Sequence, residues 1–268
     1  MDSPLQRTRI GLHAGRSLIA ERLRSRVRRV GSLEPGTLET IFAAHPAETV
    51  FVHVGLSDVN AALPGDPYCH VRSALTEQYE NVLVPGYTPS FLDTGVYHRQ
   101  YSQPAFGTFA RRFLEDATYR TADPVYSILV DGDYRFDDCC STESFSRESC
   151  FAKLDRDDVL FVNVGTDGFR CSHLHYVERC ADVPYCTVSD HEGVVYHTPT
   201  EYEMVSHACP TDDLYRRYNR PKLERVLSDA GVLTAYDCNG LSVRFCRARD
   251  IRTVLEPKLE ADPYYLVT

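Results

Sequence analysis

A histidine and a carboxylate on one helix face can make a general base, because the carboxylate fixes the imidazole tautomer and raises its basicity. His175 and Glu178 have that spacing in SHLHYVERC, where residues three apart are neighbours on a helix. The same spacing also occurs in plain surface ion pairs and satisfied core histidines, so it leaves both readings open. His173 projects in another direction from the same helix. With His175 and Glu178 it spells a candidate metal set, His-x-His-x-x-Glu, although a loop histidine near the helix cap is the commoner meaning. The chain has 10 cysteines, which adds a third chemistry: Cys139, Cys140 or Cys171 as nucleophile with His175 as its base. So many cysteines make such a pairing easy to find by chance. No Cys-x-x-Cys spacing occurs, so a structural zinc site is not indicated. In a reducing compartment most of them would be small buried hydrophobes.

Positioning these groups needs a rigid support. The stretch from Asp158 to Cys186 provides one: an apolar run, Val159 to Val164, reads as a buried strand, Gly165 ends it, and Ser172 can cap the helix that carries His175. A second strand–turn–helix step begins at Thr49 to Val54. Gly55 and Ser57 follow it, and the free N–H groups of such a turn favour phosphate or a developing oxyanion. Helices are expected at 38–44, 71–80, 107–117, 221–233, with Gly231 near the C-cap, and 251–261, and strands at the start of 81–91, where the chain runs into a Pro/Gly loop, at 123–132 and at 241–250. Residues 92–108 and 137–150 read as loops. Residues 188–209 read as a β-hairpin or extended arm turning at Asp190 to Gly193. Strands alternating with helices predict an α/β fold: one compact domain with a central, largely parallel sheet flanked by helices, plus a C-terminal α+β segment. The Arg-rich stretch LIAERLRSRVRRV predicts an amphipathic helix within an N-terminal helical segment, 1–45, ahead of the main domain, 46–268.

Composition narrows the functions. The 268 residues are 43% hydrophobic and 25% charged, ordinary for a soluble globular protein. A net charge of -9 argues against a general nucleic-acid binder, which needs a basic face. No apolar run approaches the roughly 18–20 residues of a membrane span, and the N-terminus lacks the order of a signal peptide, so no membrane partner is expected and a cytoplasmic location is the default. The Arg-rich helix and the C-terminal arm are surfaces on which a homo-oligomer could form.

Four stretches together resemble a known family: TVFVHVGLSDV, NVLVPGYTPSF, FGTFARRFLEDATYRTADPVYSILVDG, and the segment from SCFAKLDRDDVLFVNVG through HLHYVERC to VPYC. Their order and spacing across residues 46–265 are similar to the aminoglycoside 3-N-acetyltransferases, also called antibiotic N-acetyltransferases. The drug-resistance members carry HPTHS where this chain has Asp123-Pro124-Val125-Tyr126-Ser127, so both histidines are replaced. That form, and DPYYL near the C-terminus, look more like branches that act on amino sugars in polysaccharide or natural-product biosynthesis. The resemblance implies an N-acyltransferase that uses acetyl-CoA, or a related acyl-CoA, as co-substrate, with no metal, and an amino sugar or aminoglycoside-like amine as acceptor. It implies His175 as general base, oriented by Glu178, and Asp123 binding the cationic amine or orienting His175. Tyr126 and Ser127 become donors to the thioester. His53, Gly55 and Ser57, with Phe106, Gly107 and Thr108, are implied as the cofactor-binding set, and Arg111 and Arg120 as partners of CoA phosphates. Loss of the motif histidines keeps a second reading open, a non-catalytic member that binds a sugar nucleotide or a partner.

Overall fold

Short runs of β-branched and aromatic residues form the centre of the computed structural model, which describes residues 29–210 and 217–267 together with Thr8, Gly11, Leu12 and Gly15. The expected Arg-rich N-terminal helix, apart from Arg29 and Val30, lies outside the described residues. A seven-stranded sheet has its parallel part in the middle. There β1 (Thr49–Val54) lies between β2 (Asn81–Pro85) and β6 (Leu160–Val164), parallel to both. Both flanks are antiparallel: β5 (Ile128–Asp131) and β4 (Tyr119–Arg120) continue beyond β2, and β10 (Leu241–Arg247) and β9 (Thr234–Cys238) beyond β6. The sheet is therefore mixed. Every residue of β2 and β6 is buried, as expected of strands covered on both faces.

Side chains alternate between two cores. Phe51, Leu83, Ile128, Val130 and Phe161 face one. It is closed by α6 (Cys150–Arg156), α7 (His173–Cys180), α8 (Arg220–Asp229) and α9 (Ala248–Ala261). Val50, Val52, Val82, Val84, Val162 and Val164 face the other. That side is closed by α1 (Thr37–Ala43), α2 (Leu56–Ala62), α3 (Pro67–Gln78) and α5 (Thr108–Asp116). The result is a three-layer α/β/α arrangement. Among the described residues no helix is long and apolar enough to cross a membrane.

A second sheet departs from the sequence reading in two ways. The stretch 92–108 is not all loop: it contains β3 (Val96–His98), which pairs in parallel with β7 (Val188–Tyr196) after a single helical turn, α4 (Phe91–Thr94). Only three residues long, β3 carries too little pattern to show by itself. The hairpin β7–β8 (Tyr202–Pro210) turns at residues 197–201, not at 190–193, and runs straight through Asp190 to Gly193. Gly193 is needed for close approach rather than for a turn. A Cβ there would lie 2.5 Å from the Phe91 ring and from the Gly95 carbonyl oxygen. Tyr97 and Val195, 0% and 1% exposed, join Phe91 and Cys209 in a third small core under this sheet.

Candidate active site

A cleft of about 560 Å³ opens at the carboxyl ends of β1, β2 and β6, where chain connections leave a central parallel strand in opposite directions and ligands commonly bind. Its floor depends on two glycines. Gly55 follows β1 and Gly165 follows β6, and their backbones touch. A Cβ on Gly55 would lie 2.3 Å from the Gly165 carbonyl oxygen, and one on Gly165, at φ +64, would lie 2.6 Å from that of Gly55. Beyond Gly165 the loop is held from below by buried Asn163. Its Oδ1 accepts from Arg170 N–H at 2.6 Å and from Thr166 Oγ1 at 3.0 Å, and its Nδ2 donates to the Arg170 carbonyl at 2.9 Å.

The structure brings His53, Gly55, Phe106, Gly107, Tyr126 and His175 together around this one cleft. Ser57 and Thr108 are exposed and lie outside it. Glu178, 2% exposed, sits behind His175. Its Oε2 is 3.3 Å from His175 Nδ1 and accepts the Tyr218 hydroxyl at 2.6 Å, and its Oε1 accepts the Tyr185 hydroxyl at 2.7 Å. Tyr218 oxygen is also 3.0 Å from His175 Nδ1. Because that hydroxyl gives its proton to Glu178, its oxygen accepts from His175 Nδ1–H. The proton thus sits on Nδ1, and Nε2 is the basic nitrogen. Nothing local in the sequence links Tyr218 to His175 or Tyr185 to Glu178, and only the fold makes these contacts.

His53 lies at the end of β1, and its Nε2 is buried without a hydrogen-bond partner among the described residues. Burial, helped by the Arg170 guanidinium, pushes this imidazole down to about 3, so it stays neutral. The residue lines the cleft, and a buried polar atom with no protein partner at such a position calls for a ligand group or water.

Asp123 and Ser127 do not line the cleft. Asp123, 4% exposed, is turned inward: its Oδ1 accepts the N–H groups of Val125 and Tyr126, and its Oδ2 accepts the Ser144 hydroxyl at 2.6 Å. Ser127 donates to the Gly86 carbonyl at 2.7 Å. Arg120 is also buried, and it donates to Ser127, Arg99, Ser102 and Gly86 oxygens, so its guanidinium is engaged inside the fold rather than presented to phosphates. Arg111 is exposed and donates to the Pro104 and Ala105 carbonyls at 3.2 Å, bracing the lip that carries Phe106. Ser172 precedes α7 without a side-chain capping bond and instead lines the cleft.

His173 is fully buried on the opposite side of α7, with Nε2 3.1 Å from Asp155 Oδ1. It is a core histidine pointing away from His175. Cys171 does line the cleft, but burial pushes its thiol up to about 12, so it is not a thiolate near neutrality. Cys139 and Cys140 do not line it.

The family described as Aminoglycoside 3-N-acetyltransferase matches residues 68–260 of the chain. No curated protein sequence matches it. Among solved structures, AAC-IIIb in a binary complex with CoASH aligns with a TM-score of 0.70 at 17% identity, covering 86% of this chain and 97% of that one. The YokD protein from Bacillus subtilis gives 0.68 at 12% identity, covering 88% and 95%. A mutant of aminoglycoside acetyltransferase AAC(3)-IVa in complex with a gentamicin gives 0.67 at 17%, covering 88% and 91%. At these identities the structures show a shared fold.

Proposed function

Because the chain belongs to the aminoglycoside 3-N-acetyltransferase family, whose members are acetyl-CoA-dependent N-acetyltransferases, we propose that its cleft moves an acetyl group from CoA to a primary amine of an amino sugar, with His175 as general base. The observation that carries this reading is the His175–Glu178–Tyr218 cluster at the wall of the cleft. An amine arrives protonated at neutral pH and cannot attack until a base removes a proton. His175 Nε2 would take it, and the imidazolium formed would be stabilised by the Glu178 charge 3.3 Å from Nδ1, with Tyr218 holding Nδ1–H.

Acetyl-CoA supplies the acetyl group as a thioester. Its carbonyl oxygen gains charge as the amine attacks and needs a preorganised donor; the C–S bond then breaks, the proton held on His175 goes to the departing CoA sulfur, and the second amine proton is lost to solvent. Tyr126 is the candidate donor: its ring lies 6.0 Å from that of His175, across the cleft lining. Asp123 acts from behind, holding the Tyr126 backbone, and Ser127 anchors the same turn to Gly86. The pantetheine arm is assigned to His53, Gly55, Phe106 and Gly107. The orphaned His53 Nε2 fits one of its amide groups. Ser57 and Thr108, exposed beyond the cleft, would meet only the outer end of the cofactor.

Release of free thiol from acetyl-CoA tests the reading, with nucleotide-linked amino sugars, aminoglycosides and simple amines as acceptors. Turnover on an acceptor that falls by about 10²-fold or more in His175→Ala supports both the acyl transfer and the base. Turnover that survives this change removes His175 from the role, and no turnover with no CoA binding would overturn the acyl-transfer reading.

A further inference from the structure

Behind the cleft lies a buried polar relay that uses residues with no role so far. His207, on β8, is 0% exposed, and Ser144, in the loop 137–149, is 1% exposed. His207 Nε2 lies 3.0 Å from Ser144 Oγ and 3.5 Å from Asp123 Oδ1. The Ser144 hydroxyl has one proton and gives it to Asp123 Oδ2 at 2.6 Å, so Ser144 accepts from His207 Nε2–H. His207 Nδ1 is buried without a partner among the described residues, which agrees with the tautomer protonated on Nε2. The relay therefore runs one way, from His207 through Ser144 to Asp123, and ends on the N–H groups of Val125 and Tyr126. Serine, histidine and aspartate together suggest a hydrolase, but substrate cannot reach a hydroxyl that is 1% exposed.

The residue after Ser144 is Phe145, fully buried and at φ +67. A bulky side chain in the left-handed region is strained, and such strain persists where the surroundings over-determine it, often beside a functional site. Ser144 supplies the restraint twice, through its hydroxyl and through its N–H, which donates to the Ala208 carbonyl at 3.0 Å. The Phe145 ring lies 4.6 Å from Tyr126, edge to face, and 5.1 Å from His175. Tyr126 is thus fixed from two directions. Asp123 holds its backbone and Phe145 wedges its ring, and Ser144 governs both.

We infer that Ser144 and His207 are positioning residues for the acyl-transfer step, acting through Tyr126. The inference rests on the acyl-transfer reading above. It also assigns a use to the second sheet: β8 delivers His207 beside Asp123, the residue that stands where the resemblance has the first motif histidine.

A double-mutant cycle in the thiol-release assay tests it. Ser144→Ala and His207→Leu should each lower kcat about tenfold with KM for acetyl-CoA changed less than about twofold. His207→Gln, which keeps an N–H donor, should recover most of the loss. In a Tyr126→Phe background the two changes should cost less than about twofold, since their target is already gone. Losses that multiply undiminished in that background, or that appear only as a lowered melting temperature with kcat intact, would overturn the inference while leaving acyl transfer standing. Should Ser144→Ala fail to fold, Asp123→Asn interrupts the same relay at nearly constant volume and is read by the same cycle. A wild-type protein that releases no thiol with any acceptor overturns the acyl-transfer reading first, and this inference with it.

Discussion

Glu178 accepts two tyrosyl hydroxyls while lying 3.3 Å from His175 Nδ1. The two hydroxyls keep this buried carboxylate fixed, and Tyr218 in turn holds His175 Nδ1–H, so His175 cannot swing away without giving up that acceptor and the neighbouring negative charge. Tyr218→Phe removes the acceptor of Nδ1–H and one charge-assisted bond to Glu178, worth about 1.5 kcal/mol, so kcat/KM should fall about tenfold. Tyr185→Phe leaves the His175 contact intact and should cost less, so the two variants measured side by side separate support of the base from support of the carboxylate. Cys171→Ala should keep turnover within about twofold, because a buried thiol held near 12 is not the nucleophile. A trapped acyl-cysteine at that position would reverse this. The helical spacing of His175 and Glu178 is readable from a short run of sequence. Tyr218, 40 residues beyond Glu178, is not, because helical periodicity says nothing about contacts across the fold. DPVYS stands out as a segment, yet its Asp123 and Ser127 face inward and only Tyr126 reaches the cleft.

At the level of elements, the cleft floor depends on two strands followed by glycines that abut. Gly165→Ala places a side chain at positive φ and against the Gly55 carbonyl. It should lower stability by about 1–3 kcal/mol and weaken CoA binding as the two strand ends move apart. Denaturant unfolding and calorimetry on one preparation check both. An unchanged unfolding midpoint would mean that the two strand ends can part freely. The strands that frame the cleft are legible because buried parallel strands read as unbroken apolar runs. The hairpin turn is not, because Gly193 looks like a turn residue. It is glycine so that Phe91 can lie on the strand, a demand set by a residue about a hundred positions earlier.

For the whole molecule, half-buried His53 and fully buried His173 make stability depend on pH. Burial lowers His53 to about 3 and also lowers His173, although Asp155 opposes it there. Each therefore binds fewer protons folded than unfolded once pH falls below about 6.5. The neutral imidazoles keep their full contribution above that pH, and it is lost as pH drops toward the folded values, by at most about 1.4 kcal/mol per pH unit for each group. Melting temperature should fall between about pH 6.5 and 4, and His53→Asn should flatten that fall. A profile identical to wild type would show that His53 gains a proton in the folded state without penalty. The α/β class is evident in the alternation of strands and helices, but the antiparallel flanks and the second sheet are not, since pairing partners far apart in sequence leave no local signature.

The strand order also sets when the site can exist during synthesis. β1 is paired on one side by β6, with Val50 opposite Leu160, and β6 in turn by β10, with Val164 opposite Val243. On a ribosome moving at about 5–20 residues per second, β1 would wait on the order of ten seconds for β6 and several more for β10. Throughout that wait the apolar faces of β1 and β2 lack half their cover, which invites association with other chains. The β7–β8 hairpin is local and can close at once. The His175 wall is complete only once Tyr218 has been made, and a nascent chain stalled before it would carry His175 and Glu178 without the hydroxyl that joins them.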